Sequence, residues 1–155
     1  GERITRVPAI AFGEKGKAKL RFFGIPMGYQ LPVVVENIKT ISRGVSPLSM
    51  DTRKKLRGIN QPVHIQVFVI PTDADCQGVA RLAHALALEN QNITADVVEI
   101  EEFPALARQY GVRSVPVTVV NEFTQVAGLV SEAEFVEKIV QWGVRQESES
   151  APVQA

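Results

Sequence analysis

Val63-His-Ile-Gln-Val-Phe-Val-Ile-Pro-Thr-Asp-Ala-Asp-Cys76 is the stretch on which the fold turns. Val63–Ile70 is β-branched and apolar and is broken by Pro71-Thr72, which reads as a buried central strand. From Cys76 to Asn90 the period changes. Val79, Leu82 and Leu86 recur at helical spacing with Ala80, Ala83 and Ala87 beside them, which predicts a helix.

Downstream, Ile93–Ile100 is strand-like again. Pro104–Tyr110 predicts a short helix, with proline near its start and Gly111 just past its end. Val115–Val120 and Thr124–Ala127 read as two strands around the turn Asn121-Glu-Phe123. Ser131-Glu-Ala-Glu134 is a capping box, and the helix it opens is expected to bury Phe135, Ile139 and Trp142, with Val136 and Val140 flanking. Residues 62–143 therefore read βαβαββα, a complete α/β domain. The polar segment 144–155 lacks periodicity and is expected to be disordered.

Working upstream, Arg6-Val-Pro-Ala-Ile-Ala-Phe12 parallels Ser114-Val-Pro-Val-Thr-Val-Val120. Each copy continues through a turn (here Gly13–Lys17), a strand (here Ala18–Phe23) and a glycine (Gly24, Gly128) into an amphipathic helix. In the upstream copy that helix is marked by Leu31, Val34, Ile38 and Ile41. Residues 1–43 thus read as the ββα half of a second such unit. Residues 44–61 form a linker whose short basic helix, Asp51–Arg57, presents a solvated face. Half a sheet cannot close a core alone. The chain, which starts at Gly1, is expected to be a truncated part of a longer one. The other arrangement docks the half-unit on the downstream unit or on another copy, through an open sheet edge.

Composition removes several function classes. Lysine plus arginine equals aspartate plus glutamate at 17 each, which argues against a nucleic-acid or anionic-membrane binder. No apolar run approaches the roughly 18–20 residues of a membrane span. One cysteine allows no disulfide within the chain, no CxxC dithiol and no cysteine-rich zinc site. His64 and His84 lack metal-ligand spacing, so neither metal nor cofactor is expected, and a cytoplasmic setting is the default.

Several features together resemble the thioredoxin superfamily. They are the βαβαββα order, the Pro71-Thr-x-x-x-Cys76 loop opening a helix and the Val115-Pro116 pair opening a strand. Within it, Met50–Val63, Val67–Thr72, Arg81–Asn90 and Gln109–Pro116 are similar to the glutaredoxin-like protein disulfide oxidoreductases, which carry two thioredoxin units in tandem. The resemblance implies thiol–disulfide exchange with protein thiols or disulfides. It also implies a substrate groove lined by Thr72, Val115 and Pro116, with Val7 and Pro8 equivalent upstream.

In that family the first helix opens with Cys-x-x-Cys, the first sulfur attacking as thiolate and the second resolving the mixed disulfide. Here the tetrapeptide is Asp73-Ala-Asp-Cys76, so Asp73 replaces the attacking cysteine and Cys76 keeps the resolving position. A carboxylate at a helix start caps free amides. As a general acid–base pair, Asp73 and Asp75 have no visible partner. Cys76 reads as a semi-buried, poorly reactive thiol, the alternative being exchange with a partner or glutathione. Two functions follow: a disulfide oxidoreductase relative with its dithiol lost, or a non-catalytic module that binds extended polypeptide at the Pro116 groove. Association of copies through the sheet edge is expected with either.

Overall fold

Val63 opens a strand that lies in the interior of a six-stranded mixed sheet. The computed structural model describes residues 6–13 and 18–143. The expected tail, 144–155, and most of the turn Gly13–Lys17 fall outside the described residues. The strands are β1 (Ala9–Phe12), β2 (Leu20–Phe23), β3 (Val63–Val69), β4 (Ile93–Glu99), β5 (Val117–Val120) and β6 (Thr124–Ala127). The helices are α1 (Leu31–Arg43), α2 (Met50–Leu56), α3 (Ala74–Glu89), α4 (Pro104–Gln109) and α5 (Glu132–Gly143). The strand order is β1-β2-β4-β3-β5-β6. β4 runs parallel to both β2 and β3, and the other pairs are antiparallel.

Side-chain alternation sorts the core into two layers. Ile65, Val67 and Val69 pack with Ile93, Ala95 and Val97 beneath α1, α3 and α5. Phe68, Val98, Val117 and Val119 face the other way and meet Leu106 of α4. β3 is buried on both faces, which is why its sequence is a nearly unbroken apolar run. β5 starts at Val117, two residues later than expected, and Pro116 before it has no N–H to give a ladder.

The upstream strands β1 and β2 join the same sheet. β2 aligns with β4 from Leu20↔Ala95 to Phe23↔Val98, and three polar side chains fix that register. Arg21 grips Asp96 with a two-pronged fork, Nε at 2.6 Å and Nη2 at 2.7 Å. His64 Nε2 lies 2.7 Å from the same carboxylate. Burial alone would raise the Asp96 pKa, but the hydrogen bonds and charges of His64 and Arg21 outweigh it and hold the carboxyl below its ordinary value.

On the opposite face, buried His84 of α3 bridges to the upstream segment. Its Nδ1 lies 2.6 Å from Asn37 Nδ2, and its Nε2 lies 3.2 Å from the Arg21 carbonyl. Only the neutral ring with its proton on Nε2 serves both partners, because the amide must donate and the carbonyl must accept. Burial accordingly pushes His84 down to about 4, against the pull of the Arg21 carbonyl and Asp96.

This bridge revises the expected face of α1. Val33, Val34 and Asn37 are the buried residues, whereas Leu31, Ile38 and Ile41 are 51%, 53% and 45% exposed. The bond to His84 holds Asn37 inward, and the apolar stripe read from the sequence is turned toward solvent except at Val34. In α5, Val136 is fully buried and Trp142 is only half-buried, the reverse of the expected ranking. The expected helix Asp51–Arg57 forms one residue earlier, as α2, and Arg53 pairs with Glu89 of α3 at 2.8 Å, so its basic face is partly engaged.

His84 sets one pH dependence. Its folded pKa lies below the ordinary 6.5, so the unfolded chain takes up the proton first. The stability it supports is complete above pH 6.5 and is lost as pH falls from 6.5 to about 4. The loss should total about 3 kcal/mol. Urea midpoints across this range should show it, and His84→Leu should flatten the curve; equal slopes in both proteins would refute the assignment.

Candidate functional site at the mouth of helix α3

The site begins with a helix start. Asp73 sits at the N-cap of α3 with extended backbone (φ −106°, ψ 118°). Its Oδ1 accepts from the N–H of Asp75 at 2.8 Å and of Cys76 at 3.3 Å. Such a cap contributes roughly 0.5–2 kcal/mol. Asp75 stands exposed in the first turn, where its charge complements the helix dipole.

Cys76 faces inward and has no solvent exposure. Burial pushes its thiol up to about 11; Asp73 and Asp75 add to that, against a backbone hydrogen bond at Ile70. At neutral pH about one molecule in ten thousand carries the thiolate. The helix start that would activate a sulfur at position 73 therefore does little for the one at position 76.

The other expected site residues divide. Val115 is half-buried and packs on the core cluster that contains Cys76. Pro116 is buried and its carbonyl accepts from Gly128 N–H at 2.8 Å, while Thr72 is exposed in the loop before α3. Val7 and Pro8 precede the outermost strand β1, three strands away from β3, and are exposed. The Val7–Pro8 and Val115–Pro116 peptides are both cis. His64 and His84 serve the register contacts above, and no group of three metal-ligating side chains occurs among the described residues. No helix among the described residues is long and apolar enough to cross a membrane.

Sequence reasoning missed the segment Ile25–Tyr29. It crosses the end of the sheet from Glu102, whose carboxylate accepts from Ile25 N–H at 2.8 Å, to Pro71, whose carbonyl accepts from Tyr29 N–H at 2.9 Å. The available signal was Gly28, which has φ +52° and brings its α-carbon so close that a β-carbon would lie 2.4 Å from the Pro71 oxygen.

Known proteins share the fold. The thioredoxin domain family matches residues 63–141. The crystal structure of a protein disulfide oxidoreductase from Aeropyrum pernix superposes with a TM-score of 0.83 at 32% identity, covering 90% of this chain and 61% of that one. The N-terminal domain of alkylhydroperoxide reductase AhpF from Enterococcus faecalis superposes at 0.80 with 23% identity, over 88% of this chain and 66% of that one, a likeness of fold. An alkyl hydroperoxide reductase polypeptide of Staphylococcus epidermidis is 24% identical over 97 residues, which span 62% of this chain but only 19% of the relative. The α/β sheet, the helix start beside a proline-led strand and the family match lead to one conclusion: this chain belongs to the thioredoxin domain family and fits its disulfide oxidoreductase members.

Proposed function

We propose that this chain is a thiol–disulfide oxidoreductase relative whose own dithiol site is lost and which does not turn over disulfides by itself. The observation that supports the reading is the α3 start, where the Asp73 carboxylate caps the helix and the chain's one thiol, Cys76, is sealed beneath it. Asp73 holds the helix end, Cys76 keeps the resolving position, and Thr72, Val115 and Pro116 line the groove for a partner. A lone thiol that formed a mixed disulfide would find no second thiol in this chain to resolve it. Residues 1–43 act in this reading as the later half of a first unit, and the setting is cytoplasmic.

Binding without chemistry is the second reading, favoured by exposed Thr72 and half-buried Val115 beside a closed helix start. There an extended polypeptide lies along the backbone at Val115 as an added strand. A further contact is open at the sheet edge. Pro8 and Phe12 turn their carbonyls toward Gly24 and Lys19, so by alternation Ala9 and Ala11 point their N–H and C=O outward. No charge guards that edge within β1, and copies of the chain would pair along it.

Insulin reduction with a thiol donor tests the first reading, and the expected result is no turnover above the donor alone. Alkylation of Cys76 should be slow at neutral pH and quicken only as pH approaches 11 or on unfolding. Turnover of insulin, or rapid labelling of the folded chain at pH 7, would overturn the reading.

A further inference from the structure

We propose that Ile25–Tyr29, which lies outside the segment matched by the family, is one wall of the polypeptide site at the mouth of α3 and selects segments in which apolar side chains are flanked by lysine or arginine. The proposal rests on the polypeptide-binding reading above and names the substrate class. Its first support is placement. Hydrogen bonds at both ends, Ile25 to Glu102 and Tyr29 to Pro71, strap the segment across the sheet end and bring it against the loop that opens α3. Gly28 makes the approach to Pro71 possible because a side chain there would strike the Pro71 carbonyl.

The second support is what the strapped segment presents. Ile25 is 53% exposed, Met27 54% and Tyr29 46%. Three large apolar residues, each about half exposed, fall within one five-residue stretch and give a partner an apolar strip to cover. Backbone bonds pin the segment while its apolar side chains face water, so its exposure is imposed by the fold.

The third support is charge. Glu101 and Glu102 stand at one end of the segment, and Asp73 and Asp75 at the other, two and four residues past Pro71. None of these four carboxylates has an ion-pair partner among the described residues. The charges of Asp73 and Asp75 add to the rise that burial gives Cys76. An apolar strip with carboxylates that lack a cationic partner at each end is complementary to a basic–apolar–basic segment.

Binding of fluorescent extended peptides to the full chain tests this. Four peptides are compared: lysines flanking an apolar centre, glutamates flanking it, lysines flanking a serine centre, and an uncharged apolar peptide. The lysine–apolar peptide should bind roughly tenfold or more tightly than the other three, and its advantage should shrink as salt is raised. Met27→Ser with Tyr29→Ser should remove most of that preference, and Asp75→Asn with Glu101→Gln, which leaves Asp73 and Glu102 charged, should weaken its salt dependence by about half. The four substituted side chains are exposed or nearly half exposed, so only a small shift in thermal unfolding should accompany either effect, Asp75→Asn giving up the charge–dipole contribution of a first-turn carboxylate. If all four peptides bind equally, or the Met27/Tyr29 variant binds as before, the wall is refuted while the polypeptide site stands. If no peptide binds, the polypeptide-binding reading fails and the wall with it.

Discussion

Asp73→Cys is expected to give this chain a disulfide and with it a measurable insulin reductase activity. The substitution places a sulfur at the N-cap of α3, one helical turn before Cys76. Free amides there, now occupied by the Asp73 carboxylate, would stabilise a thiolate instead, lowering its pKa as helix starts do in reactive cysteines. Removing the negative charge of Asp73 also removes one of the influences that raise Cys76. Loss of the cap costs roughly 0.5–2 kcal/mol, small enough for the fold to persist. Titratable thiols should fall from two to none under mild oxidation, and turnover should rise from the donor background. Asp73→Ser, which keeps a capping oxygen, should stay inactive. A folded Asp73→Cys chain whose two thiols remain free under oxidant would show that residues 73 and 76 do not occupy the dithiol positions.

The largest loss of stability is expected from Asp96→Ala. That carboxylate receives both prongs of Arg21 and the His64 ring while almost fully buried, so it joins β2, β4 and β3 at one point. Its removal leaves a partly buried guanidinium with its main acceptor gone, a change that typically costs about 3–5 kcal/mol. Urea unfolding should register the loss. Amide exchange should quicken most in β2, whose only other neighbour is the edge strand β1. A change below about 1 kcal/mol would mean the fork is ornamental. Asp96 also adds an acid limit of its own. Its folded pKa is depressed, so its contribution is complete above the unfolded value near 3.8 and disappears as pH falls through the folded one. This stage lies below the His84 window, and the two should separate in an acid titration.

Residues 63–143 were legible because each element carries a strong local period. The run from Val63 to Val69, the alanine-rich face of α3 and the serine cap at Ser131 each need only near neighbours to be read. Asp73 was legible as a cap for the same reason. The face of α1 was not. Asn37 is held inward by His84, 47 residues further on, and a hydrophobic pattern gives no weight to a polar residue that finds a buried partner. Nor was the place of β2 legible, since its pairing with β4 depends on Arg21 meeting Asp96 across the sheet. The segment beside Pro71 escaped notice because its contact is made by a backbone N–H and a glycine, which leave no side-chain signature.

The seat of β2 beside β4 also imposes an order of events during synthesis. Arg21 leaves the ribosome 75 residues ahead of Asp96, the partner that fixes its register. At roughly 5–20 residues per second, that delay lasts about 4–15 s. For that interval Leu20, Phe22 and Phe23 have no finished sheet to enter, so the nascent hairpin is exposed to chaperones and to its counterparts on neighbouring polysomal chains before its own β4 exists.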